Sequence, residues 1–378
     1  MLSGTEKDGI SYQGEVGAGH VAAQTTVARR GRWREACYGV AVLITSLLLC
    51  LLVIELAGRA FGLLPAPSRA FRFSPTKGYE LAPGHEDINA YGLRDREYPL
   101  AKPPHTFRIL AIGDSFTFGA GVLREEAYTE RLEVMLNERL QRSGMRFEVL
   151  NAGVPGYNTS QELVHLRESG LRFDPDLIIV GFTLGDAELG TLGLKDAKNQ
   201  IGLIRVKEWV KNHFALYGFL RLRLNRLLDR LHAARSGGEI GGSAVIPLRR
   251  AAKGEEDAAW QRCRRSLHDI AAVARARNIP VVLVIFPLLV NLDETYPFRA
   301  EHALVAATGR ESGAVILDLL PEFLGLDPAT LWVAPTDSHP NARGHAIAAE
   351  AMYRALLSHG LIPVAPSPTG EARPSDEP

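Results

Sequence analysis

The residues best placed to do chemistry in this chain are a serine and a histidine more than two hundred positions apart. Ser115 closes the run Arg108-Ile-Leu-Ala-Ile-Gly-Asp-Ser115, and Phe-Thr-Phe-Gly119 follows it. The apolar residues Ile109 to Ile112 read as a buried parallel strand that stops abruptly at Gly113-Asp114. In an open α/β sheet, the loop leaving the C-terminal end of a strand opens into the crevice where ligands bind. A serine at such a turn either caps a helix or is held as a nucleophile. The second stretch, Asp337-Ser338-His339-Pro340-Asn341, tips the balance toward the nucleophile.

Composition limits what else the chain can be. Of its 378 residues 46% are hydrophobic, enough for a sizeable core. Lysine plus arginine equals aspartate plus glutamate at 43 each, so overall charge does not point to nucleic acid as a partner. Cys37, Cys50 and Cys263 form no disulfide framework, and Cys50, in the middle of an apolar run, reads as inert. There is no Cys-x-x-Cys and no tight histidine cluster, so neither a metal nor a cofactor is expected.

Several elements must position Ser115 and His339. Strands are expected at Phe107–Ile112, Phe147–Asn151, Leu177–Phe182, Pro280–Phe286 and Ala314–Asp318. Helices are expected at about Glu125–Gln141, Ser160–Ser169, Glu255–Arg277, Arg299–Glu311 and Ala342–Ser358. This alternation predicts a three-layer α/β/α domain with a flavodoxin-like, five-stranded parallel sheet, over residues 106–360. An insertion at 189–254 interrupts it. In that insertion Leu220, Leu224, Leu227, Leu228 and Leu231 share one helical face, with arginines elsewhere. That pattern suits a lid helix, or a basic amphipathic helix lying on lipid. A glycine-serine linker follows at Ser236–Ser243.

Before the domain, residues 1–35 read as a disordered cytoplasmic tail and 36–58 as a transmembrane signal anchor. Arg29, Arg30, Arg32 and Arg34 precede the apolar run, which puts the N-terminus in the cytoplasm and the rest of the chain in the periplasm. A cleavable signal peptide is disfavoured, because the apolar run is long and no clear Ala-x-Ala site follows it. Glu55, near the outer edge of the run, is given no function. Residues 59–105 read as a lead-in, either packed on the domain surface or forming a flap over substrate, and 361–378 as a disordered tail.

Four pieces fall at strand ends or before the last helix: Gly113-Asp-Ser115, Asn151-Ala-Gly-Val-Pro-Gly156-Tyr-Asn158, Phe182-Thr-Leu-Gly185-Asp186 and Asp337-Ser-His339-Pro-Asn341. Together, and in this order, they resemble the four blocks of the SGNH/GDSL hydrolase family. The resemblance implies the SGNH fold, with Ser115 as nucleophile, His339 as general base and Asp337 orienting the histidine. It implies oxyanion donors at Ser115, Gly156 and the position of Asp186. There the family carries asparagine; an ionised aspartate cannot donate, and a register shifted by one residue puts Gly185 in its place. The spacing also differs, since the family has Asp-x-x-His where this chain has Asp337-x-His339. His345, inside the last helix, reads as structural.

These expectations lead to a membrane-tethered periplasmic serine esterase acting on acyl or acetyl esters of a glycan or lipid. Transfer of an acyl group to a polysaccharide, phospholipase action, and a degenerate glycan-binding member are the alternatives. No protein partner is indicated.

Overall fold

The computed structural model describes residues 16–63, 70–85, 87–187, 245–335 and 337–364, with 210, 214, 216, 217 and 220, and side chains from residue 38 onward. The chain divides into two units, one holding the N-terminal helix and residues 214–223, the other holding the α/β domain.

In the first unit a long helix runs Val16–Ala60. Its segment Tyr38–Ala60, with a mean hydropathy of 2.7, is long and apolar enough to cross a membrane. The helix starts upstream of the span expected at 36–58, within the stretch read as a disordered tail. Glu55 is the one carboxylate in this apolar segment, and it is satisfied locally. It bonds Arg59 one turn on and accepts Leu216 N–H at 2.7 Å.

The second unit is built on nine strands among the described residues: β1 (Phe71–Ser74), β2 (Gly78–Leu81), β3 (Thr106–Gly113), β4 (Arg146–Gly153), β5 (Leu177–Phe182), β6 (Val281–Ile285), β7 (Val315–Asp318), β8 (Trp332–Ala334) and β9 (Asp337–Pro340). Five of them form a parallel sheet in the order β4-β3-β5-β6-β7. β5 and β6 are buried along their whole length, as their unbroken apolar sequences require in a sheet covered on both faces. Each fully buried leucine or isoleucine there contributes roughly 1.5–3 kcal/mol. Helices Tyr128–Arg139 and Ala342–Ser358 pack together, as do Thr159–Glu168 with Ala258–Arg275 and the latter with Arg299–Glu311. This is the three-layer α/β/α architecture read from the sequence.

The strand order reverses at β3, so the crevice between the C-terminal ends of β3 and β5 is the topological switch point where such sheets bind ligands. Ser115 and the turn Leu184–Ala187 lie at those two ends.

Two regions differ from the sequence-based expectation. The lead-in packs more deeply than on the surface alone: Leu93 and Tyr98 enter the main core, while Leu81 and Ile88 close a smaller one with Val154 and Tyr157. The insertion ends early, because helix Ile246–Ala252 buries Val245 and Leu248 in the main core. Of the candidate helix Leu220–Leu231 only Leu220 lies among the described residues, and the Ser236–Ser243 linker lies outside them, as does the tail from 365 onward.

Candidate active site

The Ser115 turn is seated on glycines. In the sheet register Gly113 stands beside Gly153 on one neighbouring strand and Gly181 on the other. The short helix Ser115–Phe118 lies against this row. A Cβ on Gly153 would sit 2.3 Å from Phe118 N, and one on Gly181 would sit 2.3 Å from Thr117 Oγ1. Only glycine leaves room for the chain to turn that tightly. Asp114 caps the helix, accepting Phe116 N–H at 2.8 Å. Gly119 ends it at φ +80°.

Arg94, from the lead-in, then fastens the far side of the turn. Its guanidinium donates to Phe118 O at 2.8 Å, Gly119 O at 2.6 Å and Val122 O at 2.7 Å. One planar fork thus binds three carbonyls of the turn.

His339 reaches Ser115 from the ribbon formed by β8 and β9. Its Nε2 lies 2.8 Å from Ser115 Oγ, and its Nδ1 lies 2.5 Å from Asp337 Oδ1. The same carboxylate oxygen accepts His339 N–H at 3.2 Å. The spacing of two residues has a direct cause. β9 is extended, so residues two apart share a face and a third would point away. Asn341 then caps the last helix through Arg343 N and Gly344 N.

The second block supplies Gly156, exposed and at φ +78°. A Cβ there would lie 2.8 Å from the Tyr79 hydroxyl, which itself donates to Pro155 O at 2.8 Å. Tyr157 donates back to Tyr79 O at 2.5 Å, so the β1–β2 hairpin braces this loop. Thus the lead-in touches the candidate site at both Arg94 and Tyr79.

Asp186 is buried at 2% exposure, and its carboxyl is engaged by Thr183: Oδ2 accepts Thr183 N–H at 2.7 Å and Oδ1 lies 3.3 Å from Thr183 Oγ1. Thr183 Oγ1 also lies 3.0 Å from Asp114 Oδ2. Burial pushes the Asp114 carboxyl up to about 6, offset in part by the Phe116 N–H bond. Burial, and then the charges of Asp114 and Glu162, hold Asp186 well above the ordinary carboxylate range.

The structure therefore brings Ser115, His339 and Asp337 into one hydrogen-bonded chain. It leaves Gly156 on an exposed loop and turns Asp186 to Thr183. His345 lies in the core, 1% exposed, accepting Tyr128 N–H at 3.3 Å through Nδ1. Burial pushes it down to about 3. Sequence reasoning did not single out Thr183, Arg94 or Tyr79. Asp114, between the glycine and the serine, carried a helix-cap signal that could have been read. No cluster of metal-ligating side chains occurs among the described residues.

A five-stranded parallel sheet covered by helices on both faces, with a serine and a histidine at its switch point, is the architecture of the SGNH fold. The model of the GDSL-like lipase/acylhydrolase family matches residues 111–347, more than half of the chain, and the protein belongs to that family. No curated protein matches it by sequence. Among solved structures, a two-domain esterase active on acetylated mannans, co-crystallised with mannopentaose, is 13% identical with a TM-score of 0.42. The match covers 69% of this chain and 51% of that one, about half its length. A catalytic mutant of Axe2, an acetylxylan esterase from Geobacillus stearothermophilus, is 16% identical with a TM-score of 0.41 over 66% of this chain and 94% of the other. TesA is 15% identical with a TM-score of 0.39 over 68% and 99%.

Proposed function

We propose that this protein is a membrane-tethered serine esterase whose active domain lies outside the cytoplasm and removes acyl or acetyl groups from a glycan or lipid. The observation that carries this reading is the unbroken chain Ser115 Oγ–His339–Asp337. Asp337 holds the proton of His339 on Nδ1, which leaves Nε2 free to take the Ser115 proton as Oγ attacks the acyl carbon. The tetrahedral oxyanion accepts from the Ser115 and Gly156 backbone N–H groups, each worth about 3–4 kcal/mol. His339 returns its proton to the leaving alcohol, and water then repeats the sequence on the acyl-serine. Asp186 takes no part as an oxyanion donor, since Thr183 occupies both its oxygens. The apolar segment Tyr38–Ala60 and the arginines before it support the tether and its orientation.

The test is hydrolysis of p-nitrophenyl acetate and longer-chain esters by the full chain in detergent. Ser115→Ala and His339→Ala are each expected to lower kcat by about a thousandfold or more. Equal turnover by wild type and Ser115→Ala would overturn the reading.

A further inference from the structure

Three carboxyl groups are buried close to the Ser115 turn: Asp114, Glu162 and Asp186. Among the described residues no lysine or arginine pairs with any of them. Glu162 is 1% exposed, and both its carboxyl oxygens lack a hydrogen-bond partner. Three buried carboxylates without a counter-ion cannot all be charged, because each unpaired charge costs several kcal/mol of lost hydration.

The contacts around Thr183 bear on where one proton sits. Thr183 Oγ1 lies 3.0 Å from Asp114 Oδ2 and 3.3 Å from Asp186 Oδ1. A hydroxyl has a single proton and can donate to only one of the two. The other contact needs a proton from the carboxyl itself. Asp114 is the better anion, since it caps the Ser115 helix through Phe116 N–H and feels the positive charge that His339 acquires. Asp186 faces Asp114 and Glu162, both of which resist a further negative charge.

We propose that Asp186 is a positioning residue: it keeps its proton at neutral pH and donates it to Thr183, which donates to Asp114, which holds the Ser115 turn. The proton runs on Asp186 Oδ1, while Oδ2 accepts Thr183 N–H. A neutral aspartic acid in this arrangement has the donor and acceptor of an asparagine side chain, though aimed at Thr183. The role in catalysis rests on the esterase reading above; the position of the proton does not.

Among the described residues, the surroundings supply nothing to neutralise an ionised Asp186. Helix Thr159–Glu168 contributes Glu162 and the Thr159 hydroxyl, which lies 3.5 Å from Asp186 O. Helix Ala258–Arg275 contributes the Cys263 thiol, 3.3 Å from Thr159 Oγ1 and raised by burial. Helix Ile246–Ala252 turns Leu248 inward and sends Arg249 and Arg250 to Glu301 and Asp257. From the β9 side His339 acts on Asp114.

The sign of the linkage follows. The folded protein holds a proton on Asp186 that the unfolded chain releases near its ordinary value of 3.8. The stability from that proton is complete below that pH and is lost as pH rises toward the elevated folded value. Asp186→Asn carries no such loss.

The experiment measures Tm against pH for the full chain in detergent, wild type beside Asp186→Asn. The Tm advantage of Asp186→Asn is expected to widen by at least about 2 °C between pH 4 and 9. A gap that does not change with pH places a permanent charge on Asp186 and overturns the proposal. Esterase pH profiles give the second readout. Asp186→Ala is expected to lose about tenfold or more in kcat, and Asp186→Asn to restore it and to hold activity further into alkali. An Asp186→Asn enzyme no better than Asp186→Ala at any pH also overturns it. If Ser115→Ala is as active as wild type, the esterase reading fails instead, and the Tm comparison alone decides the proton.

Discussion

His339 and His302 each hold one ring nitrogen against a carboxylate and the other against a hydroxyl. His339 Nδ1 lies 2.5 Å from Asp337 and Nε2 lies 2.8 Å from Ser115 Oγ. His302 Nδ1 lies 2.8 Å from Asp318 and Nε2 lies 3.2 Å from Tyr296 Oη. As lists of partners the two are nearly the same; the difference lies in where each hydroxyl stands. Tyr296 is 3% exposed, its oxygen already accepts Leu288 N–H at 3.0 Å, and burial pushes its phenol well up. Ser115 is partly exposed and opens a short helix seated on a glycine row. The Tyr296–His302–Asp318 chain ties a loop to the end of β7. An aspartate, a histidine and a hydroxyl in series are therefore not by themselves the mark of a reactive site; the proposal for Ser115 rests also on its exposure.

Asp337→Asn tests the comparison with the largest expected effect. It leaves the geometry but favours the wrong proton position on His339, so kcat should fall by about a hundred- to ten-thousandfold, measured with p-nitrophenyl acetate. Gly153→Ala should come next. Its Cβ would meet the backbone of Phe118 at 2.3 Å, with no flexible side chain to yield. A loss of about 1–3 kcal/mol in unfolding free energy is expected, with a fall in kcat larger than any change in KM. The smallest effect on catalysis belongs to His302→Gln. Thermal unfolding should show a cost of about 1–3 kcal/mol for the broken bonds to Asp318 and Tyr296. Its kcat should stay within about threefold of wild type, since a 1.4 kcal/mol change in the barrier would already be tenfold. A kcat loss at His302 matching that at His339 would erase the distinction between the two chains.

Much of the scaffold was legible in the sequence because burial on both faces leaves unbroken apolar runs. Leu177–Phe182 was bounded to the residue for that reason; the helices Arg299–Glu311 and Ala342–Ser358, whose ends coincide with those observed, were legible from their helical spacing of apolar residues. The hairpin that carries His339 was not legible. Asp337-Ser-His-Pro340 has no apolar alternation, and its extended form comes from pairing with Trp332–Ala334. Without that pairing the spacing Asp-x-His looks like a departure from a pattern; with it, the two side chains share a face. Arg94 and Tyr79 were hidden because the lead-in has little periodicity, and its contacts are made with loops far along the chain. Asp186 could be compared only with the asparagine whose place it takes, since its hydrogen bond to Thr183, on a residue close in sequence, depends on how the chain turns after β5.

The glycine row has a further consequence for how the chain comes together. Gly113, Gly153 and Gly181 lie level only when β4, β3 and β5 pair in one register. A slip of a single residue would set a side chain against the Ser115 turn and reverse the faces of a whole strand. At Gly153 no side chain could absorb the error, because backbone meets backbone there, and at Gly113 and Gly181 the Thr117 side chain already fills the space. Correct alignment of these three strands is thus a condition for the Ser115 turn to take the position it has here.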